Sequence, residues 1–303
     1  MRIAVTGSHG LIGTALVARL RREGHEAVPV VRSTPAAGEI GWDPRAGRLD
    51  PQDLVGIDAA VNLAGAGIGD KRWTDDYKRT VLESRTRATT LLAESMAAAE
   101  SGPTALLSGS AVGFYGDRGD EELDERSPAG RGFLTDVVEA WEASTAAAER
   151  AGRRVVHLRT GIVLAPDGGA LAKMLPLFKL GLGGRFGSGR QWMSWIALDD
   201  EVGAIVHLLA SSLSGPVNLT APTPVRNSEL TDTIGTVLHR PTVLPVPSFG
   251  PKLVLGGERA GALLLEGQRV LPRKLLSDGF EFQHPTLGGA LRAVLGRAAR
   301  PSG

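Results

Sequence analysis

Three stretches of this 303-residue chain have the residue types and spacing to do chemistry. The first is Thr6-Gly7-Ser8-His9-Gly10-Leu11-Ile12-Gly13, which follows the apolar run Arg2-Ile3-Ala4-Val5 and opens a helix-patterned stretch over residues 11–22. Glycines there let the backbone turn tightly and come close to a ligand, and the N–H groups and dipole of a helix start favour negative charge. The chemistry this suits is capture of a pyrophosphate, and so of a dinucleotide. The second stretch is Arg32-Ser33, after the apolar run of residues 27–31. An acidic residue at that point would accept hydrogen bonds from the ribose of NAD, whereas a cation and a hydroxyl suit the 2′-phosphate of NADP. The competing reading of Arg32 is a solvated strand end. The third stretch, Gly187-Ser188-Gly189-Arg190-Gln191-Trp192, joins a flexible turn to a cation and an aromatic ring. Arg190 and Trp192 there suit an anionic or sugar-like ligand, against the plain alternative of a glycine turn beside a core tryptophan.

These residues need elements to hold them. The glycine spacing is G-x-x-G-x-x-G, not the more usual G-x-G-x-x-G, so its weight comes from context. A short strand precedes it, and a helix with apolar residues at Leu11, Ala15, Leu16 and Leu20 follows, leading into the strand at 27–31. That is one βαβ unit in roughly 30 residues. The alternative is a tight turn that packs helix on strand without a ligand. Further strands are predicted at 39–42, 59–63, 104–108 and 155–158, with helices at 75–99 and 134–150. This alternation predicts an α/β fold, a doubly wound parallel sheet of Rossmann type, in which ligands bind beyond the carboxyl ends of the strands. From about residue 168 the chain becomes glycine- and proline-punctuated, which predicts a smaller C-terminal substrate-side lobe. Amphipathic helices are expected at 200–211 and 229–239, and a frayed tail at 297–303. The Ala-rich stretch 91–99 reads as packing.

Composition narrows the classes. Lys and Arg nearly balance Asp and Glu, for a net charge of +1, so neither nucleic acid nor an anionic membrane is an expected partner. The chain has no cysteine, and its six histidines lack metal-ligand spacing, so no metal site is expected. No window has the length of apolar sequence needed for a signal peptide or a membrane span, which points to a cytoplasmic protein acting on a small molecule.

The glycine loop, Asp58-Ala59-Ala60-Val61-Asn62-Leu63-Ala64-Gly65, the strand end Ser108-Gly109-Ser110 and Trp195-Ile196-Ala197-Leu198-Asp199-Asp200 together resemble the extended short-chain dehydrogenase/reductase superfamily. Within it, Lys71-Arg72-Trp73, Glu83-Ser84-Arg85, Trp192-Met193-Ser194-Trp195-Ile196 and Leu264-Leu265-Glu266-Gly267-Gln268-Arg269-Val270-Leu271-Pro272 resemble the atypical branch of epimerase-family proteins. That branch is NAD-dependent epimerase/dehydratase-like and carries a C-terminal domain of uncharacterised function. The resemblance spans nearly the whole chain. It implies an NADP(H)-binding Rossmann core at 1–165 and a mixed region at 166–303. Part of that second region would return to the core and part would form the substrate lobe, with the family's C-terminal domain at about 248–296.

The resemblance also implies roles. Gly7, Ser8, Gly10, Leu11 and Ile12 would line the pyrophosphate, Arg32 and Ser33 would meet the 2′-phosphate, and Leu63, Ala64, Gly65 and Ser108 would border the cofactor. Arg85 would reach toward it, and Gly161 and Ile162 would lie near the nicotinamide. Lys71 and Arg72 join Arg190 and Trp192 as substrate candidates. The departure from the pattern is chemical. The superfamily passes a proton through a tyrosine, lowers its pKa with a lysine four residues later, and polarises the substrate oxygen with a serine. Ser110 fits the serine. Yet Val81 follows Tyr77 and Gly119 follows Tyr115 at that distance, and Phe133-Leu134-Thr135-Asp136-Val137-Val138-Glu139 holds neither partner. Ser110 and Tyr115 are the catalytic candidates that remain. Three readings stay open: an NADP(H)-dependent oxidoreductase of altered mechanism, an epimerase or isomerase that retains its cofactor, and a non-catalytic NADP(H) sensor or scaffold.

Overall fold

The fold was analysed in a computed structural model, which describes residues 1–242, 245–249, 252–253 and 256–296. The expected tail at 297–303 lies outside the described residues. Strands β1 (Arg2–Thr6), β2 (Glu26–Val31), β3 (Ile40–Gly41), β4 (Ala59–Asn62) and β5 (Ala105–Ala111) lead the chain. They are followed by β6 (Glu122–Leu123), β7 (Arg154–Thr160), β8 (Ile162–Leu164), β9 (Trp192–Met193) and β10 (Trp195–Ala197). The last are β11 (Gly215–Leu219), β12 (Val225–Arg226) and β13 (Arg269–Val270). Seven of them build one sheet in the order β11-β7-β5-β4-β1-β2-β3. Pairing is parallel at β2–β3, β1–β2, β1–β4 and β4–β5. The order reverses at β1, with β2 on one side and β4 on the other, which is the switch point where a doubly wound sheet takes its ligand.

The chain folds as two compact units. Unit 1 comprises residues 1–111, 135–159 and 202–217, and unit 2 comprises residues 112–134, 160–201 and 218–303. In unit 1, helices α1 (Leu11–Arg22) and α2 (Asp75–Ala98) connect strands. One core cluster there joins Ala4, Val28, Ala60, Leu106 and Val155 from the sheet to Leu92 and Met96 of α2. The stretch 91–99 is therefore core packing. Helix α2 starts cleanly because Thr74 accepts the N–H of Tyr77 and Asp75 and Asp76 stand in the first turn.

The single helix predicted at 134–150 is instead two, α3 (Phe133–Ala143) and α4 (Ala146–Arg150). The hydroxyls of Ser144 and Thr145 donate to the carbonyls of Ala140 and Glu142. Such back-bonding competes with the helical ladder and interrupts it. In unit 2, helix α5 (Gly169–Lys179), helix α7 (Asn227–Leu238) and the helix Leu287–Val294 enclose Leu164, Phe178, Trp195, Ile234 and Leu291. Helix α6 (Leu198–Ala210) begins in unit 2 and ends in unit 1. Residues 202–217 from the mixed second region thus belong with the first unit. No helix among the described residues is long and apolar enough to cross a membrane.

Candidate functional site

The turn from β1 into α1 is built around Gly7. Its φ of +65° is in the left-handed region, and a Cβ would stand 2.6 Å from the carbonyl oxygen of Leu63. The first turn can therefore pass close over the end of β4 only with glycine at this position. Gly10 is different. A Cβ there would meet only the Gly7 carbonyl oxygen, at 3.2 Å, and nothing else within 4 Å. Gly10 caps α1 with no side chain accepting from the first turn. No side chain among the described residues thus takes the first-turn donors of α1, which is the setting a pyrophosphate needs. Ser8 is buried, its hydroxyl 3.3 Å from His9 Nδ1, while Leu11 and Ile12 are half-buried.

Arg32 and Ser33, at the end of β2, are exposed. Neither makes a side-chain hydrogen bond or ion pair with any described residue, so the Arg32 guanidinium is an uncommitted cation. It borders a cavity of about 360 Å³.

The end of β4 is held by a buried chain of hydrogen bonds. Thr6 donates to Asn62 Oδ1 at 2.6 Å, Asn62 Nδ2 donates to Thr89 at 2.8 Å, and Trp141 Nε1 donates to the same Thr89 oxygen at 3.0 Å. Leu63 N–H donates to the Thr6 hydroxyl, so the loop of Leu63, Ala64 and Gly65 leaves the sheet at a fixed point. Arg85 fastens the next residues. It donates to the carbonyls of Ala66 and Val81, both at 3.0 Å, while Ser84 accepts the N–H of Ala66. Its guanidinium lies 5.0 Å from the Trp141 ring centroid, and burial pushes its pKa down to about 10. Ser84 and Arg85 are therefore a brace for the loop that leaves β4, while Glu83 pairs with Arg87. Ser108, fully buried on β5, donates only weakly to the Gly109 carbonyl, at 3.4 Å.

The proton-donor candidates are committed elsewhere. Ser110 is buried, and its hydroxyl donates to Glu142 Oε1 on α3 at 2.6 Å. Arg159 grips the same carboxylate bidentately, both contacts at 2.8 Å, and His157 Nδ1 stands 3.8 Å away. Burial pushes the Glu142 pKa up, but the Arg159 hydrogen bonds and charge, with Ser110 and His157, hold it below the ordinary value. Ser110 thus donates its hydrogen bond to a carboxylate that stays ionised. The next residue, Ala111, is the more exposed one and carries no hydroxyl. Tyr115 belongs to unit 2 and has no exposed surface. Its phenol donates to Asn218 Oδ1 at 2.7 Å, and Phe114 packs edge-on against it. In place of an accessible acid, Tyr115 is core.

Unit 2 also spends the backbone donors of the nicotinamide candidates: Gly161 N–H bonds to the Leu219 carbonyl at 3.0 Å and Ile162 N–H to the Ser194 carbonyl at 2.8 Å. Beside them, Glu201 on α6 is fully buried. It accepts from Thr160 at 2.8 Å, its other oxygen has no partner among the described residues, and burial raises its pKa to about 8.

The Trp192 ring already has two cation partners. Arg226 and Arg269 lie 4.0 and 4.7 Å from its ring centroid, and its Nε1 donates to Asp120. Arg190 is exposed, and its carbonyl accepts from Arg226. A cavity of about 550 Å³ in unit 2 is lined instead by Arg185, Phe186, Gly187, Ser188, Gln191 and Leu265, among others. The motifs at 192–196 and 264–272 meet where Ser194 donates to the Gln268 carbonyl, and the adjacent Gln191 donates to that of Leu264. Lys71 and Arg72 are exposed on a unit 1 loop pinned by Trp73, whose Nε1 donates to the Ile68 carbonyl. Lys71 Nζ is 6.0 Å from the Tyr77 ring centroid. No group of three acidic or histidine residues among those described is placed to hold a metal.

Sequence reasoning missed Glu142, Asn218, Glu201 and Arg185. None carries a local signal, because each acts through a partner distant along the chain or, like Arg185, by lining a cavity.

The sequence profile of the NAD dependent epimerase/dehydratase family matches residues 3–219, and a domain of unknown function, DUF1731, matches residues 246–294. An epimerase family protein of Mycobacterium bovis is 47% identical over 291 residues, covering 95% of this chain and 96% of that one. The human epimerase family protein SDR39U1 is 39% identical over 299 residues, covering 97% of this chain and 100% of its own. A crystal structure of the human protein with NADPH superposes with a TM-score of 0.91 at 38% identity, covering 98% of this chain and 100% of that chain. A nucleoside-diphosphate sugar epimerase from Corynebacterium glutamicum gives a TM-score of 0.79 at 39% identity, covering 98% of this chain and 58% of that chain.

Proposed function

The chain belongs to the NAD dependent epimerase/dehydratase family, and from that premise we infer that it binds NADP(H), in preference to NAD(H), and works as an atypical oxidoreductase or epimerase on a small polar carbonyl or sugar-like substrate. The observation that carries the cofactor reading is the coincidence of a helix start without a side-chain cap at Gly10 with an uncommitted cation at Arg32. The human relative solved with NADPH supports the same choice. When bound, the nicotinamide supplies a hydride donor or acceptor. The start of α1 holds the pyrophosphate, Arg32 and Ser33 bind the 2′-phosphate, and Arg85 keeps residues 64–66 clear of the ring and ribose. The unit 2 cavity, with one arginine, an aromatic ring and two serine hydroxyls, suits a sugar-like or phosphorylated substrate. The Corynebacterium relative supports a nucleotide-linked sugar as the class. We place the action in the cytoplasm, on a small molecule, without nucleic acid or membrane.

A specific observation favours a second reading, in which the protein senses NADP(H) without turning over. Ser110 and Tyr115 both have their hydroxyl protons engaged by protein acceptors. Binding and turnover separate these claims. NADPH is expected to bind more tightly than NADH, and Arg32→Ala to weaken NADPH about 10-fold while sparing NADH, the worth of one charge-assisted hydrogen bond. Equal dissociation constants in the unmutated protein would remove the 2′-phosphate argument. Oxidation of NADPH with any of a panel of carbonyls and sugar nucleotides supports the enzyme, and a partner protein bound only by the loaded form supports the sensor.

A further inference from the structure

We propose that Arg48 is a second reader of the cofactor's 2′-phosphate, acting with Arg32 on the cavity they both line. The inference rests on the NADP(H) reading above. Strand β3 pairs parallel with β2, Val30 opposite Ile40 and Val31 opposite Gly41, and Trp42 N–H donates to the Val31 carbonyl at 2.9 Å. The chain after β3 is therefore carried alongside the end of β2, where Arg32 stands. It turns back at once. Asp43 and Arg48 form an antiparallel bridge, exchanging backbone hydrogen bonds of 2.8 and 3.0 Å around the turn of residues 44–47. This hairpin brings Arg48 to the same cavity of about 360 Å³ as Arg32, some distance along the chain from it.

The hairpin also aims the guanidinium. Asp43 Oδ1 accepts the N–H groups of Arg45 and Ala46 at 3.0 and 3.1 Å, and Oδ2 accepts Arg48 Nη2 at 3.1 Å. One nitrogen of Arg48 is thus held, while Nε and Nη1 have no acceptor among the described residues. A planar fork fixed at one corner and open along an edge is suited to a phosphate. The carboxylates of the cavity are accounted for in the same way. Asp43 is spent on the hairpin, and Asp50 accepts Gln52 N–H at 3.0 Å as the cap of the short helix Pro51–Leu54. Asp53 remains, an acceptor suited to a hydroxyl or an amine and opposed to a phosphate. With Asp53 present, a lone exposed arginine is a weak host for a dianionic group. The lining sets two arginines against three aspartates, so what Arg48 adds is a second set of aimed N–H donors and not an excess of positive charge, and the combination fits a phosphorylated ribose better than a bare anion.

The test is equilibrium titration of the full chain with NADPH and NADH, with displacement by 2′,5′-ADP and 5′-AMP, in wild type, Arg48→Gln, Arg48→Lys and Arg32→Gln. Arg48→Gln is expected to weaken NADPH and 2′,5′-ADP about 5- to 10-fold and to leave NADH and 5′-AMP within about 2-fold, with Arg48→Lys recovering part of the loss. An unchanged NADPH-to-NADH ratio in Arg48→Gln overturns the proposal, whether neither ligand weakens or both weaken alike, as a mere brace of the hairpin would have it. If wild type itself fails to discriminate NADPH from NADH, the cofactor reading and the Arg48 proposal fall together. If discrimination exists and is lost in Arg32→Gln but kept in Arg48→Gln, Arg48 alone falls.

Discussion

Two regions of unit 1 treat polar groups in opposite ways. Around the start of α1 and the end of β2, a helix start without a side-chain cap stands beside a cation without a partner: Gly10 caps α1 with no side chain, and Arg32 pairs with no described residue. At the ends of β5 and β7 the strong polar groups face one another, with Ser110 and Arg159 both spent on Glu142. An unsatisfied donor at a surface costs little and is available to a ligand, whereas a satisfied, buried ion pair is available to nothing. The first region is built to bind. The second is built to hold, although reactive groups would be expected there. Unit 2 repeats the second pattern in Tyr115 with Asn218, whereas Glu201 is sealed away with only one oxygen bonded, to Thr160. Groups of the second kind should therefore govern stability, and groups of the first kind ligand affinity.

The largest effect is expected at Glu201, whose burial raises its pKa from the usual 4.5 to about 8. The unfolded chain releases this proton near 4.5 and the folded chain keeps it to about 8. The stability contribution is therefore full below the unfolded value, falls as pH rises through that window, and stays lost above it, by about 5 kcal/mol in all. Glu201→Gln is neutral at every pH and should remove this slope. Urea denaturation at about pH 5, 7 and 9 gives the comparison, and parallel curves for variant and wild type would show that the carboxyl is not sealed. Next comes Arg159→Met, which leaves Glu142 buried without its cation and should cost about 4 kcal/mol in the same assay. A loss below about 1 kcal/mol would mean that Glu142 finds another partner or water.

On the open side, Gly10→Val should weaken NADPH at least about 100-fold, because the side chain takes the room the pyrophosphate needs. Circular dichroism should be unchanged, since little but the Gly7 carbonyl lies near the new group. Full NADPH affinity in a folded Gly10→Val protein would take the glycine turn out of the site.

The same contrast separates what was legible in the sequence from what was not. The open region was legible because it is local: the glycine turn, helix α1 and Arg32 lie within one βαβ unit, and the observed bounds Arg2–Thr6, Leu11–Arg22 and Glu26–Val31 follow the apolar pattern closely. The sealed region was not. Glu142 looks like any polar residue on a helix until Arg159 meets it 17 positions later. Ser110 reads as a catalytic hydroxyl from its strand-end position, but only the tertiary pairing shows which way it faces. Strands β8, β9, β10, β12 and β13 are two or three residues long, too short for an alternation signal. Helix α5 was hidden by Pro176 inside it.

The smallest effect is expected where the two regions come closest in chemistry, at Ser110. Ser110→Ala removes one charge-assisted hydrogen bond from a carboxylate that keeps both Arg159 contacts, so stability should fall by about 1 to 2 kcal/mol. NADPH affinity should not change, because the hydroxyl points its proton at Glu142 and not at a ligand. Turnover then decides the meaning of the pairing. With any substrate found for the protein, a drop of about 100-fold or more in kcat at unchanged NADPH affinity would require Ser110 to leave Glu142 during the reaction, making the sealed arrangement one state of two. A change within about 3-fold, with the expected stability loss, fixes Ser110 as a strut, and the proton must then come from a group other than the serine that the family pattern suggests.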